Sequence, residues 1–100
     1  MSKYLGWKSF EREITQRMKD TGFDAKRNWD SQFAKSDLID VVAPPYGLQL
    51  KYGIKPDLVG AWKEASQNKD LIPVGIARWK GTRRTLVCID LETFLRLIEK

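Results

Sequence analysis

Four side chains in this sequence combine an unusual position with the ability to bind a cation or to activate water. Gln49 and Lys51 lie two residues apart in an otherwise apolar run, so a β-strand would project both from one face. Asp40 interrupts the apolar run 38–43. Glu11 falls near the centre of the apolar face of a predicted first helix, where a charged side chain is unfavourable unless it has a partner or a function.

These residue types fit a divalent-metal site that hydrolyses phosphodiesters. Mg²⁺ takes oxygen ligands and usually binds only one or two carboxylates, with water and substrate phosphate completing its shell. Asp40 and Glu11 would supply charge, and the side-chain carbonyl of Gln49 a neutral oxygen. The metal would lower the pKa of its water and stabilise charge developing on the phosphate, while Lys51 would orient or deprotonate that water. Mn²⁺ is expected to substitute for Mg²⁺.

Each of these side chains also has an ordinary structural interpretation. Glu11 is equally explained as a tolerated acid at the edge of an apolar face, and Lys51 as a solvated strand residue. Asp40 could hydrogen-bond the backbone at a strand end, but β-strands disfavour Asp. Asp40 is therefore the strongest of the four candidates.

Composition narrows the possible chemistry. The chain has no histidine and a single cysteine, Cys88, which excludes histidine catalysis, histidine metal sites, an intramolecular disulfide and thiolate zinc. A net charge of +5 favours a polyanionic partner such as nucleic acid. No apolar stretch is long enough for a membrane span, and the first residues lack a signal-peptide segment, so we expect a cytoplasmic protein, or one in the host cytoplasm if it is viral.

The hydrophobic pattern predicts one α/β domain over residues 1–100. We expect helices at about 4–21, 56–68 and 90–98, and strands at 23–29, 38–43, 48–52, 72–79 and 84–89. The order α-β-β-β-α-β-β-α predicts a mixed central sheet flanked by helices. A Pro-Pro-Tyr-Gly turn at 44–47 makes the second and third strands a hairpin, which would bring Asp40 beside Gln49 and Lys51.

Four segments carry a family resemblance. Segment 6–12 has a glycine before a Glu-Arg pair, segment 22–27 is followed by Ser31, segment 36–43 contains Asp40, and segment 49–51 reads Gln-Leu-Lys. Their order and spacing, over nearly the whole chain, resemble the PD-(D/E)xK nucleases and, among them, the archaeal and phage Holliday-junction resolvases. The resemblance implies a restriction-endonuclease-like core, an Mg²⁺-dependent endonuclease, and Glu11 as a metal ligand.

Two details depart from the family pattern or leave it open. Gln49 stands where the family usually has Glu, which removes a negative charge and should weaken metal binding. Asp37 competes with Asp40 for the metal position. Asp40 is preferred because Val-Val-Ala follows it directly, as in the resolvase pattern, and because it lies nearer the hairpin turn.

A basic surface is expected to contact DNA phosphates, which positions DNA without reading its sequence. Its predicted members are Arg12, Lys26, Arg27, Ser31, Arg78, Lys80, Arg83 and Arg84. The turn between the last two strands is also consistent with an ordinary exposed hairpin that carries a solubilising charge run. Trp29 and Trp79 either stack on unpaired bases or pack in the core.

The leading interpretation is an endonuclease that cuts branched DNA, acting as a Holliday-junction resolvase. The chain has no insert for reading base edges, so recognition by shape and backbone is expected. Since a two-fold symmetric junction offers two equivalent cleavage points, we expect a homodimer. The alternatives are a restriction-like, nicking or repair endonuclease on linear duplex, a DNA-binding module whose nuclease centre has decayed, and a basic protein without a nucleic-acid role.

Overall fold

A computed structural model describes residues 3–28 and 38–99, with side chains from residue 6 onward. Its elements are α1 Lys3–Asp20, β1 Lys26–Arg27, β2 Val41–Ala43, β3 Tyr46–Gly53, α2 Leu58–Ala65, β4 Ile72–Trp79, β5 Thr85–Cys88 and α3 Leu91–Ile98. The predicted order of elements is confirmed. Helix α1 ends before Gly22, whose φ of 108° is readily adopted only by glycine.

The strands form one five-stranded sheet in the order β1-β2-β3-β4-β5. Neighbouring strands are antiparallel except β3 and β4, which are parallel and are joined by α2 as a crossover helix. The sheet is therefore mixed, and the predicted α/β class is confirmed at this level.

The predicted hairpin of the second and third strands is present. Ala43 pairs with Tyr46 across a loop of Pro44 and Pro45, in which proline supplies turn geometry and ends the strand. Strand β2 begins at Val41 rather than at residue 38, so Asp40 lies directly before the strand.

Each face of the sheet is covered by one helix. On one face, Phe10 and Ile14 of α1 pack in a buried cluster with Leu48 and Leu50 of β3. On the other face, α2 approaches β4 so closely that a Cβ at Gly75 would lie 2.6 Å from the backbone nitrogen of Trp62. The buried side chains of β3 therefore project towards α1 on one face and towards α2 on the other.

The first predicted strand is longer than the strand observed. Prediction placed it at 23–29, whereas among the described residues only Lys26 and Arg27 pair with β2. Phe23 instead packs its ring edge-on against Tyr46 at 5.7 Å between ring centroids. The partner strand β2 has only three residues, which limits how far β1 can extend.

Helix α3 has the predicted apolar face, but that face is exposed. Leu91, Phe94, Leu95 and Ile98 are 65%, 47%, 46% and 54% exposed, and Thr93 is the buried residue of the helix. Periodicity identifies such a face without identifying what covers it. Within residues 3–28 and 38–99, no helix combines the length and the apolar character that crossing a membrane requires.

Candidate functional site

Asp40 is fixed by the backbone of the hairpin. Its main-chain nitrogen donates to the carbonyl of Leu48 at 2.8 Å, and its carbonyl accepts from the nitrogen of Asn28 at 2.9 Å. Its carboxylate Oδ2 accepts from the backbone nitrogen of Leu50 at 2.8 Å. The side chain therefore takes the place of a ladder hydrogen bond at the point where β2 begins.

The environment of Asp40 disfavours its ionised form. Burial raises the pKa of Asp40 to about 6, and the nearby carboxylates of Glu11 and Glu64 act in the same direction. The hydrogen bond from Leu50 and the charge of Lys51 oppose this rise. Asp40 is thus the position at which the charges of Glu11, Lys51 and Glu64 act together, and a carboxyl group that titrates near neutrality is a candidate functional group.

Gln49 and Lys51 share one face of β3, as predicted, and this face lies against α2. Both contact one carboxylate, because Gln49 Nε2 donates to Glu64 Oε2 at 3.1 Å and Lys51 Nζ lies 2.8 Å from the same oxygen. Gln49 is 8% exposed, and its carbonyl Oε1 is buried without a hydrogen-bond partner among the described residues. A buried acceptor without a donor is costly, so this oxygen is a candidate ligand for a cation.

Glu64 forms an ion pair with Lys51. The hydrogen bond from Lys51 has the largest effect on the pKa of Glu64 and lowers it. Burial opposes this by raising the pKa, and the hydrogen bond from Gln49 lowers it further. Of the two roles predicted for Lys51, orienting the attacking water fits this pairing better than deprotonating it, because an ammonium group is a hydrogen-bond donor only.

Glu11 lies on the other side of the sheet, close enough for its charge to raise the pKa of Asp40. It is 8% exposed on α1, and its Oε1 lies 3.6 Å from a guanidinium nitrogen of Arg27. The prediction that Glu11 occupies the buried side of its helix is confirmed. Because α1 covers the face opposite Gln49 and Lys51, these groups approach Asp40 from opposite sides.

The acids present are few for a metal site. Across the described ranges, no group of three His, Cys, Asp or Glu side chains is close enough to hold an ion. Mg²⁺ needs only one or two carboxylates when neutral oxygens and water complete its shell. The carboxylate of Asp40 and the partnerless carbonyl of Gln49 fit that donor set.

One part of the predicted DNA-binding surface lies beside α1 and β1. Arg12 and Lys26 are exposed, and with Arg27 they line an open cleft of about 450 Å³. Arg27 pairs with Val41, so the cleft borders the strand that begins after Asp40. The predicted contact Ser31, the competing ligand Asp37 and Trp29 lie outside the described residues.

The turn between β4 and β5 presents three of its four predicted cations. Lys80, Arg83 and Arg84 are exposed, and the backbone nitrogen of Lys80 donates to Gly53 at 2.7 Å. This hydrogen bond places the turn at the carboxyl end of β3, two residues beyond Lys51.

Arg78 is the exception and is removed from the predicted DNA surface. It is 9% exposed, and two nitrogens of its guanidinium donate to the two carboxylate oxygens of Glu13. The hydrogen bond from Nη1 to Oε1 is 3.0 Å long. Its Nε donates to Thr85 at 2.9 Å, and the guanidinium carbon lies 4.8 Å from the centroid of Phe10. Arg78 therefore ties β4 to α1. Its partner on α1 is Glu13.

Sequence reasoning missed Glu64. A signal for it exists, because Glu64 follows Ala61 at helical spacing and borders the apolar face of α2. What the sequence does not contain is the pairing of β3 with β4, which carries α2 over Gln49 and Lys51. No family model matches this chain, and comparisons with curated proteins and with solved structures found no match either, so proposals about its function rest on the geometry of this site.

Proposed function

We propose that this protein is a metal-dependent DNA endonuclease with a restriction-endonuclease-like PD-(D/E)xK core, acting on branched DNA. One observation carries the proposal. The half-buried carboxylate of Asp40, with its pKa raised to about 6, adjoins on the neighbouring strand a buried Gln49 carbonyl that lacks a hydrogen-bond donor. An ionised carboxylate removed from water and a buried carbonyl without a donor each reduce the stability of a folded protein, and a bound cation would offset both penalties.

The residues that would hold Mg²⁺ are Asp40 and Gln49, with Glu11 as the third ligand from α1. A divalent cation beside Asp40 removes the penalty for ionising this carboxyl group and accepts the free lone pairs of Gln49 Oε1. When bound, the ion would lower the pKa of a water and stabilise charge on the phosphate. The side chain of Gln49 is neutral, and Glu64, which accepts a hydrogen bond from it, adds a negative charge on the α2 side of the site.

Lys51 is the residue that would position the reacting groups. As an ammonium anchored 2.8 Å from Glu64, it keeps two of its three protons free to donate to an attacking water or to a phosphate oxygen. Because Lys51 lies on a central strand and is paired with Glu64, its ammonium group has less conformational freedom to lose on binding a substrate than that of an unpaired surface lysine. Asp40 and Lys51 thus act from neighbouring strands of one hairpin.

The substrate is inferred from the charges around the site. Exposed cations lie on the β1 side at Arg12 and Lys26 and on the β4–β5 turn at Lys80, Arg83 and Arg84. Cations on both sides of Asp40 suit a phosphate backbone that passes over the sheet edge. A junction, in which two strands diverge, would contact both groups at once.

Cleavage of a labelled four-way junction, beside its linear duplex control and with or without Mg²⁺, tests the proposal. Asp40→Asn is expected to reduce magnesium-dependent nicking of the junction at least about 1,000-fold, because it removes the central ligand charge. Asp70→Asn is the matched control, since Asp70 is exposed and lies outside the site. Cutting of the linear duplex in preference to the junction would instead assign the enzyme to the restriction-like, nicking or repair type.

A decayed DNA-binding module is the second candidate. The amide at Gln49 and the small number of acids near Asp40 in the described ranges favour it. Such a protein would bind the junction with strong salt dependence yet cut nothing with Mg²⁺ or Mn²⁺. If the wild type binds the junction without cutting it, the proposed nuclease activity is rejected. The chain would then be a DNA-binding module that keeps the proposed fold.

A further inference from the structure

Trp79 ends strand β4 as a half-buried tryptophan that lies outside the core. Among the described residues it belongs to neither cluster of buried side chains, and it is not one of the partly buried side chains packed against the larger cluster. Those partly buried side chains are Met18, Phe23, Tyr46, Tyr52 and Ile89. Of the two roles predicted for Trp79, packing in the core therefore does not account for its position.

The indole of Trp79 lies on the same face of the sheet as Lys51. In the parallel pairing of β3 with β4, Lys51 lies opposite Ala77, and Gly53 lies opposite Trp79. Alternation along β4 puts Trp79 on the face of Gly75, which is the face that lies against α2. Lys51 and Trp79 are thus diagonal neighbours on adjacent strands, a separation of about 7–8 Å that long side chains span.

The sheet beside Trp79 has room for a flat group. Its partner Gly53 has no side chain, and no described atom beyond its chain neighbours lies within 4 Å of the position that a Cβ would take. Helix α2 begins at Leu58, whose carbonyl oxygen lies 2.9 Å from the Cβ position of Gly75. Trp79 is four residues, or about 13 Å, further along β4. A planar ligand can therefore enter above Gly53 and lie against the indole.

The backbone around Trp79 is fixed, and cations flank it. The carbonyl of Trp79 accepts from the nitrogen of Thr82 at 3.2 Å, and the nitrogen of Lys80 donates to the carbonyl of Gly53 at 2.7 Å. The side chain of Lys80 is exposed, and the ammonium group of Lys51 lies on the same face as the indole. Proteins bind unpaired nucleotides in this way, with bases stacked on aromatic side chains and phosphates near cations.

We propose that Trp79 stacks on an unpaired base of branched DNA, next to Lys51. This role rests on the proposed binding of branched DNA and does not require cleavage. In a linear duplex the bases stack on one another, whereas a single strand that leaves a branch point presents an unstacked base. Every base has a π-face, so stacking selects unpaired DNA without selecting a sequence. Trp79 would thus distinguish a branch from a linear duplex.

Fluorescence anisotropy of the full chain, in EDTA to prevent cleavage, tests this role. A duplex with a single-stranded branch is compared with a linear duplex of equal length. Trp79→Ala should weaken binding of the branched DNA by about 10- to 100-fold and of the linear duplex by less than about 2-fold, because one stacked base is lost. Trp79→Phe keeps an aromatic ring and should recover most of the affinity. Wild type and Trp79→Phe, but not Trp79→Ala, should quench 2-aminopurine placed as the first unpaired base.

Gly53→Leu tests the same role with the indole retained. The new side chain fills the open space beside Trp79, so the same selective loss of affinity for branched DNA is expected. Urea unfolding confirms that both variants are folded. Phe94→Ala is the matched control, since Phe94 is an aromatic residue, 47% exposed on α3, whose removal should leave both affinities unchanged.

Three results would overturn this role of Trp79. They are a wild type without preference for the branched DNA, equal losses of affinity for both DNAs in Trp79→Ala, and a Trp79→Ala protein that binds branched DNA as the wild type does. None of them decides whether the protein cleaves DNA. A wild type that binds branched DNA through Trp79 but cuts nothing with Mg²⁺ would support the stacking role and reject the nuclease, so the two proposals fail separately.

Discussion

Asp40 reduces the stability of the fold when it is ionised. Its folded pKa of about 6 lies above its ordinary value of 3.8, so the folded state retains a proton that the unfolded chain would release. Stability contributed by the protonated form is present below pH 4 and is lost as pH rises to about 6. A residue that destabilises the protein at neutral pH is the pattern expected of a functional group.

Asp40→Asn should therefore stabilise the metal-free protein. The amide oxygen still accepts from Leu50, and the buried charge is absent. We expect a gain of about 1–2 kcal/mol in the free energy of unfolding at pH 8 and a smaller gain at pH 4.5. Urea unfolding at the two pH values measures both. A loss of stability at pH 8 would contradict the buried-charge account of Asp40.

Gln49→Glu should separate folding from metal binding. In the metal-free protein the new carboxylate faces Glu64 without the amide hydrogen bond, and stability should fall by about 1 kcal/mol or more. The added charge should also enlarge the rise in melting temperature on adding Mg²⁺. Gln16→Glu is the control, because Gln16 loses a similar but exposed hydrogen bond to Asp20. An unchanged magnesium response in Gln49→Glu would remove Gln49 from the metal site.

At the scale of secondary-structure elements, α2 makes one very close contact with β4 at Gly75. It lies over β4 because Gly75 has no Cβ, and the same contact holds Glu64 above Gln49 and Lys51. The neighbouring atoms at Gly75 are backbone atoms of α2, which cannot move without the helix. The position of an ion-pair partner in the candidate site is thus set by a glycine on another strand.

Gly75→Ala should displace α2 and lower stability by about 1–3 kcal/mol. Gly53→Ala is the matched control, since Gly53 also lies in a strand of the sheet but has no atom within 4 Å of its Cβ position. Thermal unfolding compares the two. Equal stability of the two variants would mean that α2 has room above β4.

Across the whole molecule, the cations divide into structural and surface groups. Arg78→Ala leaves Glu13 without its main partner and should cost about 2 kcal/mol of stability while changing DNA affinity little. Arg83→Ala should change stability by less than about 0.5 kcal/mol but reduce junction affinity and lower the salt slope by about 1. Unfolding and fluorescence anisotropy across a salt series measure the two effects. The reverse pattern would return Arg78 to the DNA surface.

The sequence predicts local features of this molecule better than long-range ones. Periodicity locates the helices and the hairpin, and strand alternation places Gln49 and Lys51 on one face. The same alternation, continued from Val74 and Ile76, places Arg78 on the α1 face, although its position near a basic turn suggested exposure. The contact of Glu64 with Gln49 and Lys51 depends on the parallel pairing of β3 with β4, and no local pattern encodes that pairing.

The two edges of the sheet have different consequences for solubility. Strand β1 ends the sheet with two residues, and so short an edge offers little template for further strand pairing. Strand β5 ends the other side with four residues and with Leu86 and Val87 exposed. Aggregation of a partly unfolded chain should therefore begin at β5, and a lysine in place of Val87 should act as a gatekeeper residue there.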